Sequence, residues 1–288
     1  MIGILKKLGF YLINKKPIYL IDSEEDFNYL ILFLKNEEIL GIDTEFDWRT
    51  TYFPILSLLQ IATKDKIFLI DWLYCKNLNN LKNLKDILED QSRLIIFHSS
   101  RSDATVLYTN LNLKVKNVYD IQIAEKIING GEIKNYAFIV KTYLNFSLNK
   151  SETNSNWLKR PFTKSQISYA ANDVRFLIKI YNKQKKILEK KDNYSTVKDL
   201  TRREVNLGSQ KLYIPRLSKF RSQKKIEKDL FMWRENMAME RNVPPSYIFK
   251  DKHFKKILKV YDQDIAKEVI YKILKNEKLA NNLIESLK

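Results

Sequence analysis

The connections between the first apolar segments of this chain are too short to contain a crossover helix, and this limits the folds open to it. Apolar runs at 38–46, 55–62 and 66–70 follow one another with only brief polar interruptions. Parallel neighbours need a connection of a dozen or more residues, whereas antiparallel neighbours need only a turn. We therefore predict that these three runs form an antiparallel meander.

Helices follow the meander and then dominate. The spacing of apolar residues predicts helices at 78–88 and from about Ser102, on either side of a short buried strand at 94–97. Residues 119–190 also have mainly helical spacing, with breaks at Gly130-Gly131 and around Pro161. Strands mixed with helices, followed by helices alone, indicate an α/β domain with a mixed sheet.

Three parts of the chain differ in pattern. The α/β domain is predicted to cover 1–190, and a polar segment at 191–216 with little apolar periodicity is predicted to be a linker. Helical spacing returns at 217–288, which predicts a small all-α domain. A length of 288 residues fits one large and one small domain.

The charge balance favours polyanionic partners. Lys and Arg number 51 against 34 Asp and Glu, a formal net charge of +17. Such an excess attracts nucleic acid through the phosphate backbone, although general solubility would produce the same composition. The chain has no run of about 18 uncharged apolar residues, so we predict no membrane span. A single cysteine, Cys75, and no apolar leader segment indicate the reducing cytoplasm.

Two carboxylates stand side by side at the end of the first strand of the meander. Asp43 and Glu45 are two residues apart, so on a strand they share a face. Like charges held this close are unfavourable unless cations compensate them, and carboxylate oxygens prefer Mg²⁺ or Mn²⁺. The alternative is a pair of solvated acids at a strand end.

Two further acids occur where the same edge of the sheet is expected. Asp103 follows the buried strand at 94–97, at the start of a helix. Tyr169 and Asp173 are four residues apart with two alanines between them, so a helix presents both on one face. A helix-terminal Asp103 and a surface pair on the second helix are the structural alternatives.

Together, these five side chains have a chemical logic. Four carboxylates can hold two divalent cations about 3.5–4 Å apart, an arrangement that supports in-line displacement at phosphorus. A tyrosine hydroxyl nearby can orient the attacking water. No glycine-rich phosphate loop or cysteine pair competes for the assignment.

The order and wording of these motifs resemble the DEDDy class of 3′→5′ exonucleases, and bacterial ribonuclease D in particular. The resemblance covers about residues 18–185. It rests on six segments, which are Gly41–Phe46, Leu58–Ala62, His98–Asp103, Val118–Gln122, Trp157–Pro161 and Tyr169–Val174. The tail resembles an HRDC domain through Trp233-Arg234-Glu235 and Asn242–Asp251.

The resemblance implies a ribonuclease H-like exonuclease domain followed by a helical HRDC-like domain. It implies hydrolytic removal of nucleotides from RNA 3′ ends, tRNA precursors above all, with release of nucleoside 5′-monophosphates. By motif position, the metal-associated acids would be Asp43, Glu45, Asp103 and Asp173. Two Mg²⁺ or Mn²⁺ ions would be bound, and Tyr169 would position the water. No obligatory protein partner is expected.

Secondary positions are also predicted to contact substrate. Phe46 would stack on the terminal base, with core packing as its alternative, and His98 precedes Asp103 in its motif. Lys150, Trp157 and Arg160 would line the substrate path, with a phosphate contact favoured over an ion pair for Arg160.

Two other functions are left open. The same catalytic class includes enzymes that act on DNA, and HRDC-like modules also occur in helicases. A nucleic-acid-binding protein without catalysis would equally suit the basic tail, although such a protein has no need of four metal-directed acids.

Overall fold

The structure, a computed structural model, describes residues 16–148, 152–220 and 224–288. These residues form two compact units. The first comprises the described residues up to Asp47 together with Ile55–Ser209, and the second comprises Trp48–Pro54 together with Gln210–Lys288. In the part of the chain that is described, no helix is both long and apolar enough to cross a membrane.

Within its described residues, the first unit contains one six-stranded mixed sheet. Its strands are β1 (Ile18–Ile21), β2 (Ile39–Asp47), β3 (Ile55–Ala62), β4 (Ile67–Asp71), β5 (Leu94–Phe97) and β6 (Val118–Asp120). The strand order is β1-β4-β3-β2-β5-β6. The predicted meander is confirmed, because β2, β3 and β4 pair antiparallel. The remaining pairs, β1 with β4, β2 with β5 and β5 with β6, are parallel.

Helices cover both faces of this sheet. They are α1 (Glu24–Leu34), α2 (Trp72–Cys75), α3 (Leu81–Glu89), α4 (Arg101–Leu111), α5 (Ile121–Ile128), α6 (Tyr136–Leu144), α7 (Lys164–Arg175), α8 (Leu177–Lys190) and α9 (Tyr194–Gly208). Helix α1 begins where Ser23 accepts a hydrogen bond from the Asp26 amide, as its sequence predicts. The α/β class and the mixed sheet are therefore confirmed.

Alternation along β2 assigns its residues to two different cores. Leu40 and Ile42 belong to the core that contains α1, α3 and α4. Gly41, Asp43 and Glu45 point to the opposite face, where α7 and α8 pack. Gly41 is needed there, because an added Cβ would lie 3.0 Å from the Leu177 Cβ of α8. The same face that admits α8 so closely carries the acidic pair.

The second unit is helical, and a loop from the sheet contributes to its core. Its helices are α10 (Tyr213–Lys219), α11 (Lys225–Glu240), α12 (Pro245–Ile248), α13 (Phe254–Val260), α14 (Ala266–Leu274) and α15 (Glu277–Leu287), with a 3₁₀ turn at Asp251–His253. The hydroxyl of Tyr52, which is 1% exposed, donates to Glu235 Oε2 at 2.8 Å. Arg216 bonds the same oxygen, so the buried Glu235 carboxylate has two partners.

The breaks expected at Gly130-Gly131 and around Pro161 are observed, because the described residues between α5 and α6 and between α6 and α7 contain no helix. Two features differ from the sequence predictions. Val118–Asp120 is a strand, although helical structure was expected from residue 119. Residues 48–54, expected in the α/β domain, pack with the helical unit instead.

The segment predicted as a linker at 191–216 is folded. Most of it forms α9, which packs within the first unit, and α10. Val197, Thr201, Val205 and Gly208 are buried along one face of α9. A narrow stripe of small and β-branched residues on an otherwise charged helix is too weak a signal for sequence periodicity to detect.

We expect Gly208→Ala to destabilise the first unit. An added Cβ would lie 2.5 Å from the Arg101 carbonyl oxygen and 2.8 Å from the Ala104 Cβ, both in α4. Overpacking of this kind should lower the free energy of unfolding by about 2 kcal/mol, despite the better helix propensity of alanine. Urea denaturation measures it. Asn206→Ala, on the exposed side of α9, is the control, and equal stability of the two variants would contradict close packing of α9 on α4.

Candidate active site

Strand β2 and helix α7 supply three carboxylates to one place. Asp43 and Glu45 lie on the α7 side of the sheet, and Asp173 lies on α7. One carboxylate oxygen from each lies within 4.8 Å of the others. The structure thus brings together three of the four acids that the sequence singled out.

Local sequence explains why α7 can reach the sheet. A capping box fixes the start of the helix, because Thr163 accepts from the Gln166 amide and Gln166 accepts from the Thr163 amide. Ala170 and Ala171 are completely buried against the strands. Small side chains at the contact let the helix axis lie close to the sheet, so Tyr169 and Asp173 of α7 lie near Asp43 and Glu45 of β2.

Asp103 lies outside the trio but is connected to it. It occupies the first turn of α4 and is 5% exposed. The Thr44 hydroxyl, between the two acids of β2, donates to Asp103 Oδ1 at 2.6 Å. The Asp103 carboxyl also raises the pKa of Glu45 and of Asp173 by charge repulsion. Asp103 is therefore part of the same electrostatic cluster.

Burial and mutual repulsion make these carboxyl groups reluctant to ionise. Burial, followed by repulsion from Asp43, Asp173 and Asp103, raises the pKa of Glu45 to about 10. Burial, followed by Asp103, raises the pKa of Asp173 to about 8. Burial and Asp173 likewise raise the pKa of Asp43 well above its usual range. No basic side chain of the described residues contributes to any of these shifts.

The donor set fits a divalent cation. Clustered carboxylate oxygens are hard ligands of the kind that Mg²⁺, Mn²⁺ and Ca²⁺ take, and a cation would offset a repulsion to which no basic side chain of the described residues is opposed. Thiols and imidazoles, which would favour softer metals, are absent from the trio. Asp43, Glu45 and Asp173 could hold such an ion, with Asp103 beside them.

A cavity of about 420 Å³ opens over the acids. Tyr169 lines it, and its hydroxyl lies 3.4 Å from Thr153 Oγ1. Burial, followed by Asp173, raises the pKa of Tyr169 to about 12, so the phenol stays protonated near neutral pH. The lining residues are Ile42, Asp43, Thr44, Glu45, His98, Asn135, Tyr136, Ala137, Leu148, Thr153, Tyr169 and Asp173.

Of the positions predicted to contact substrate, His98 lies in the cavity wall. Its Nε2 is 3.3 Å from Gln122 Nε2, and its ring packs against Tyr136. Burial lowers the pKa of His98 despite the opposing effect of Asp120. The imidazole is thus a neutral hydrogen-bonding group at this site. Lys150 lies outside the described residues.

The structure places Phe46 and Trp157 in cores and not on an open path. Phe46 packs against the core on the far face of the sheet and does not line the cavity. Trp157 is 4% exposed and lies against Tyr169, with ring centroids 6.0 Å apart. Phe46 therefore packs against a core, as its alternative interpretation predicts. The Trp157 ring packs against the Tyr169 ring.

Arg160 makes an ion pair, which was the alternative to the predicted phosphate contact. Its Nε and Nη2 donate to the two oxygens of Asp71 at 2.6 and 2.7 Å. Nη2 also bonds Ser57, and Nη1 bonds the Trp157 carbonyl. A guanidinium with these partners fastens the segment before α7 to β3 and β4, and the phosphate contact of Arg160 stays a prediction.

The sequence did not predict several of the residues that line the cavity. Asn135 and Tyr136 begin α6, and the Tyr136 hydroxyl donates to the Asn172 carbonyl of α7. Thr153 lies in the segment before α7, within reach of Tyr169. An Asn N-cap was the one local signal available, and it indicates a helix start without indicating a site.

Comparisons with known proteins agree with this geometry. Residues 18–189 match the family model described as 3′-5′ exonuclease, and residues 223–267 match that of the HRDC domain. Ribonuclease D of Desulfotalea psychrophila is 31% identical over 81% of this chain and 64% of its own length. Ribonuclease D of Haemophilus influenzae is 29% identical over 84% and 63%. The chain thus spans less than two thirds of the length of these two relatives.

Solved structures share the fold. The crystal structure of Escherichia coli RNase D, titled as an exoribonuclease involved in structured RNA processing, has a TM-score of 0.83 at 23% identity. The match covers 94% of this chain and 75% of that one. Trypanosoma brucei RNase D in complex with RNA U12 has a TM-score of 0.61 at 21% identity, over 68% and 72% of the two chains.

We expect Arg160→Ala to lower stability. It leaves Asp71, 11% exposed in its side chain, without its cationic partner. The loss should be about 2 kcal/mol, smaller than for a fully buried pair because the Arg160 side chain is 25% exposed. Urea denaturation measures it, with the exposed Lys159→Ala as control. Unchanged stability together with weakened RNA binding would support the phosphate contact.

We also expect the affinity for Mg²⁺ to rise with pH. Carboxyl groups whose pKa is raised are protonated at low pH and must lose a proton before they ligate, so binding releases protons. Asp173, with a pKa of about 8, titrates in this window, and affinity should rise roughly tenfold per pH unit for each proton released. Titration calorimetry at pH 6, 7 and 8 measures this. An affinity independent of pH would show that the ion binds elsewhere.

Proposed function

The chain belongs to the 3′-5′ exonuclease family, and we propose that it is a metal-dependent 3′→5′ exoribonuclease of the ribonuclease D type. The observation that carries the proposal is the convergence of Asp43, Glu45 and Asp173 within 4.8 Å in a cavity that Tyr169 also lines. Two relatives that align with most of this chain are named ribonuclease D, and this supports the same activity.

The acids would hold two divalent ions, Mg²⁺ or Mn²⁺. When bound, such ions stabilise the charge that develops on the attacking and departing oxygens during phosphoryl transfer. Asp43, on the inner strand β2 and within 4.8 Å of both Glu45 and Asp173, would hold an ion together with them. Asp103 would act from beside the trio, held in place by Thr44.

Tyr169 would orient the attacking water. Its phenol is protonated near neutral pH and faces the cavity, so it can accept from or donate to a water above the acids. The water oxygen forms a bond to phosphorus while the bond to the 3′ oxygen of the preceding nucleotide breaks. The departing 3′ oxygen takes up a proton, and a nucleoside 5′-monophosphate leaves.

The proposed substrate is RNA with an accessible 3′ end, tRNA precursors included. The name of the curated relatives and the RNA complex of a structural neighbour favour RNA over DNA. A formal net charge of +17 suits either polyanion, as does a domain matching HRDC. A cavity of about 420 Å³ fits one terminal nucleotide at a time.

We expect Asp43→Asn to reduce trimming at least 100-fold while the fold is preserved. The change removes a ligand charge but keeps the size of the side chain, so thermal unfolding of the metal-free protein should not be lowered. The assay uses a 5′-labelled, 3′-extended tRNA with Mg²⁺ or chelator and resolves products to single nucleotides. The exposed Asp86→Asn in α3 is the control.

Each alternative function has its own outcome in this assay. Products that shorten by one nucleotide, together with nucleoside 5′-monophosphate, support the proposal. A strong preference for a matched DNA strand would point to a DNA-directed exonuclease. Tight RNA binding by the wild type with no mononucleotide released in Mg²⁺ or Mn²⁺ would indicate a binding protein, and internal cuts would exclude an exonuclease.

A further inference from the structure

One buried side chain beside the acids lacks a protein partner at both of its polar ends. Gln60, in β3, is 0% exposed, and neither its Nε2 nor its Oε1 makes a hydrogen bond to any described residue. A primary amide offers two donors and an acceptor, and burying it unpaired is unfavourable. A leucine at this position would avoid that cost, so the presence of the amide indicates a role other than core packing.

The register of the sheet places Gln60 directly opposite Asp43. The two residues are Cα partners in the antiparallel pair of β2 and β3, and side chains of such partners lie on one face with Cβ atoms about 5 Å apart. Leu58 and Ala62, two residues to either side of Gln60, pack in the core that includes Ala170 and Ala171 of α7. Gln60 therefore points to the face that carries the acidic trio.

Asp43 is the polar residue directly across the sheet from this amide, whereas Glu45 of β2 and Asp71 of β4 lie one diagonal step away on the same face. The partner of Gln60 on the other side, in β4, is Leu69, and its neighbours along β3 on the same face are Leu58 and Ala62. The Asp43 carboxyl has contacts with the Thr44 backbone and with Asp103. A carboxylate accepts up to about four hydrogen bonds, so it has capacity for an amide donor.

We propose that Gln60 is a positioning residue for the acidic trio. Its Nε2 donates to the Asp43 carboxylate, directly or through one buried water, when the trio holds a cation. The bond holds the Asp43 oxygens toward Glu45 and Asp173. The inference rests on the metal-dependent function proposed above.

The test compares two buried glutamines of the same unit. Gln60→Met keeps the length and volume of the side chain and removes the amide. Gln184→Met is the matched control, because Gln184 is equally buried but its Nε2 bonds the Ile121 carbonyl and Glu125, and its Oε1 accepts from the Tyr119 hydroxyl. Thermal unfolding with chelator, and calorimetric titration with Mg²⁺ alone, are measured for both variants and the wild type.

The two variants should respond in opposite ways. With chelator, Gln60→Met should melt at or above the wild-type temperature, since an unpaired amide is replaced by an apolar chain, whereas Gln184→Met should melt lower. Gln60→Met should bind Mg²⁺ about 10-fold more weakly, as loss of a group that orients a metal ligand does, and Gln184→Met should bind it as the wild type does. Higher Mg²⁺ should restore trimming by Gln60→Met, with KM for RNA unchanged.

Two results would overturn the inference. Wild-type Mg²⁺ affinity in a folded Gln60→Met protein would show that the amide does not act on Asp43. A melting temperature lowered like that of Gln184→Met would show that Gln60 is a satisfied core residue. If the wild type itself binds no Mg²⁺, the proposed function fails and not merely the role of Gln60.

A measurement on the wild type covers the case in which Gln60→Met does not fold. The side-chain amide resonances of Gln60 should shift on addition of Mg²⁺, while those of Gln184 stay in place. Absence of a shift in Gln60 at saturating Mg²⁺ would contradict the proposed bond.

Discussion

Repulsion among buried carboxylates is the physical constraint on which the rest of the first unit depends. Asp43, Glu45 and Asp173 approach within 4.8 Å, and burial raises the pKa of each. Left to themselves, such groups would separate or draw in water. Packing of α7 on the sheet through the buried Ala170 and Ala171 holds them together. The core thus stabilises an arrangement in which a bound cation would offset the repulsion between the ionised carboxylates.

The surrounding residues make sense as supports for that arrangement. Arg160, paired with Asp71 and bonded to Ser57, anchors the chain just before α7. The Thr44 hydroxyl holds Asp103 beside the trio, and the Trp157 ring packs against the Tyr169 ring. These contacts restrict the side chains to the geometry in which their charges converge. Preorganisation of this kind is what allows a site to stabilise a developing charge without rearranging.

Where local pattern is strong, the sequence was sufficient for prediction. The meander followed from short connections, and the helix that carries Tyr169 and Asp173 followed from their four-residue spacing and the two alanines between them. Where structure depends on distant partners, it was not. Strand β6 has three residues, too few to show a period, and it exists through pairing with β5. Helix α9 carries a narrow apolar stripe on a charged helix, and Tyr52 joins the helical core through Glu235, 183 residues away.

The sequence by itself determined the identity of the acids, their placement at a strand end and on helix faces, and the family to which their order belongs. Those properties depend on neighbours two to four residues apart, which chemistry and periodicity fix. The tertiary structure alone decided that Arg160 pairs with Asp71, that Phe46 faces a core, and that Gln60 lies across from Asp43. Those outcomes depend on strand register and helix packing, which bring together residues that no local pattern relates.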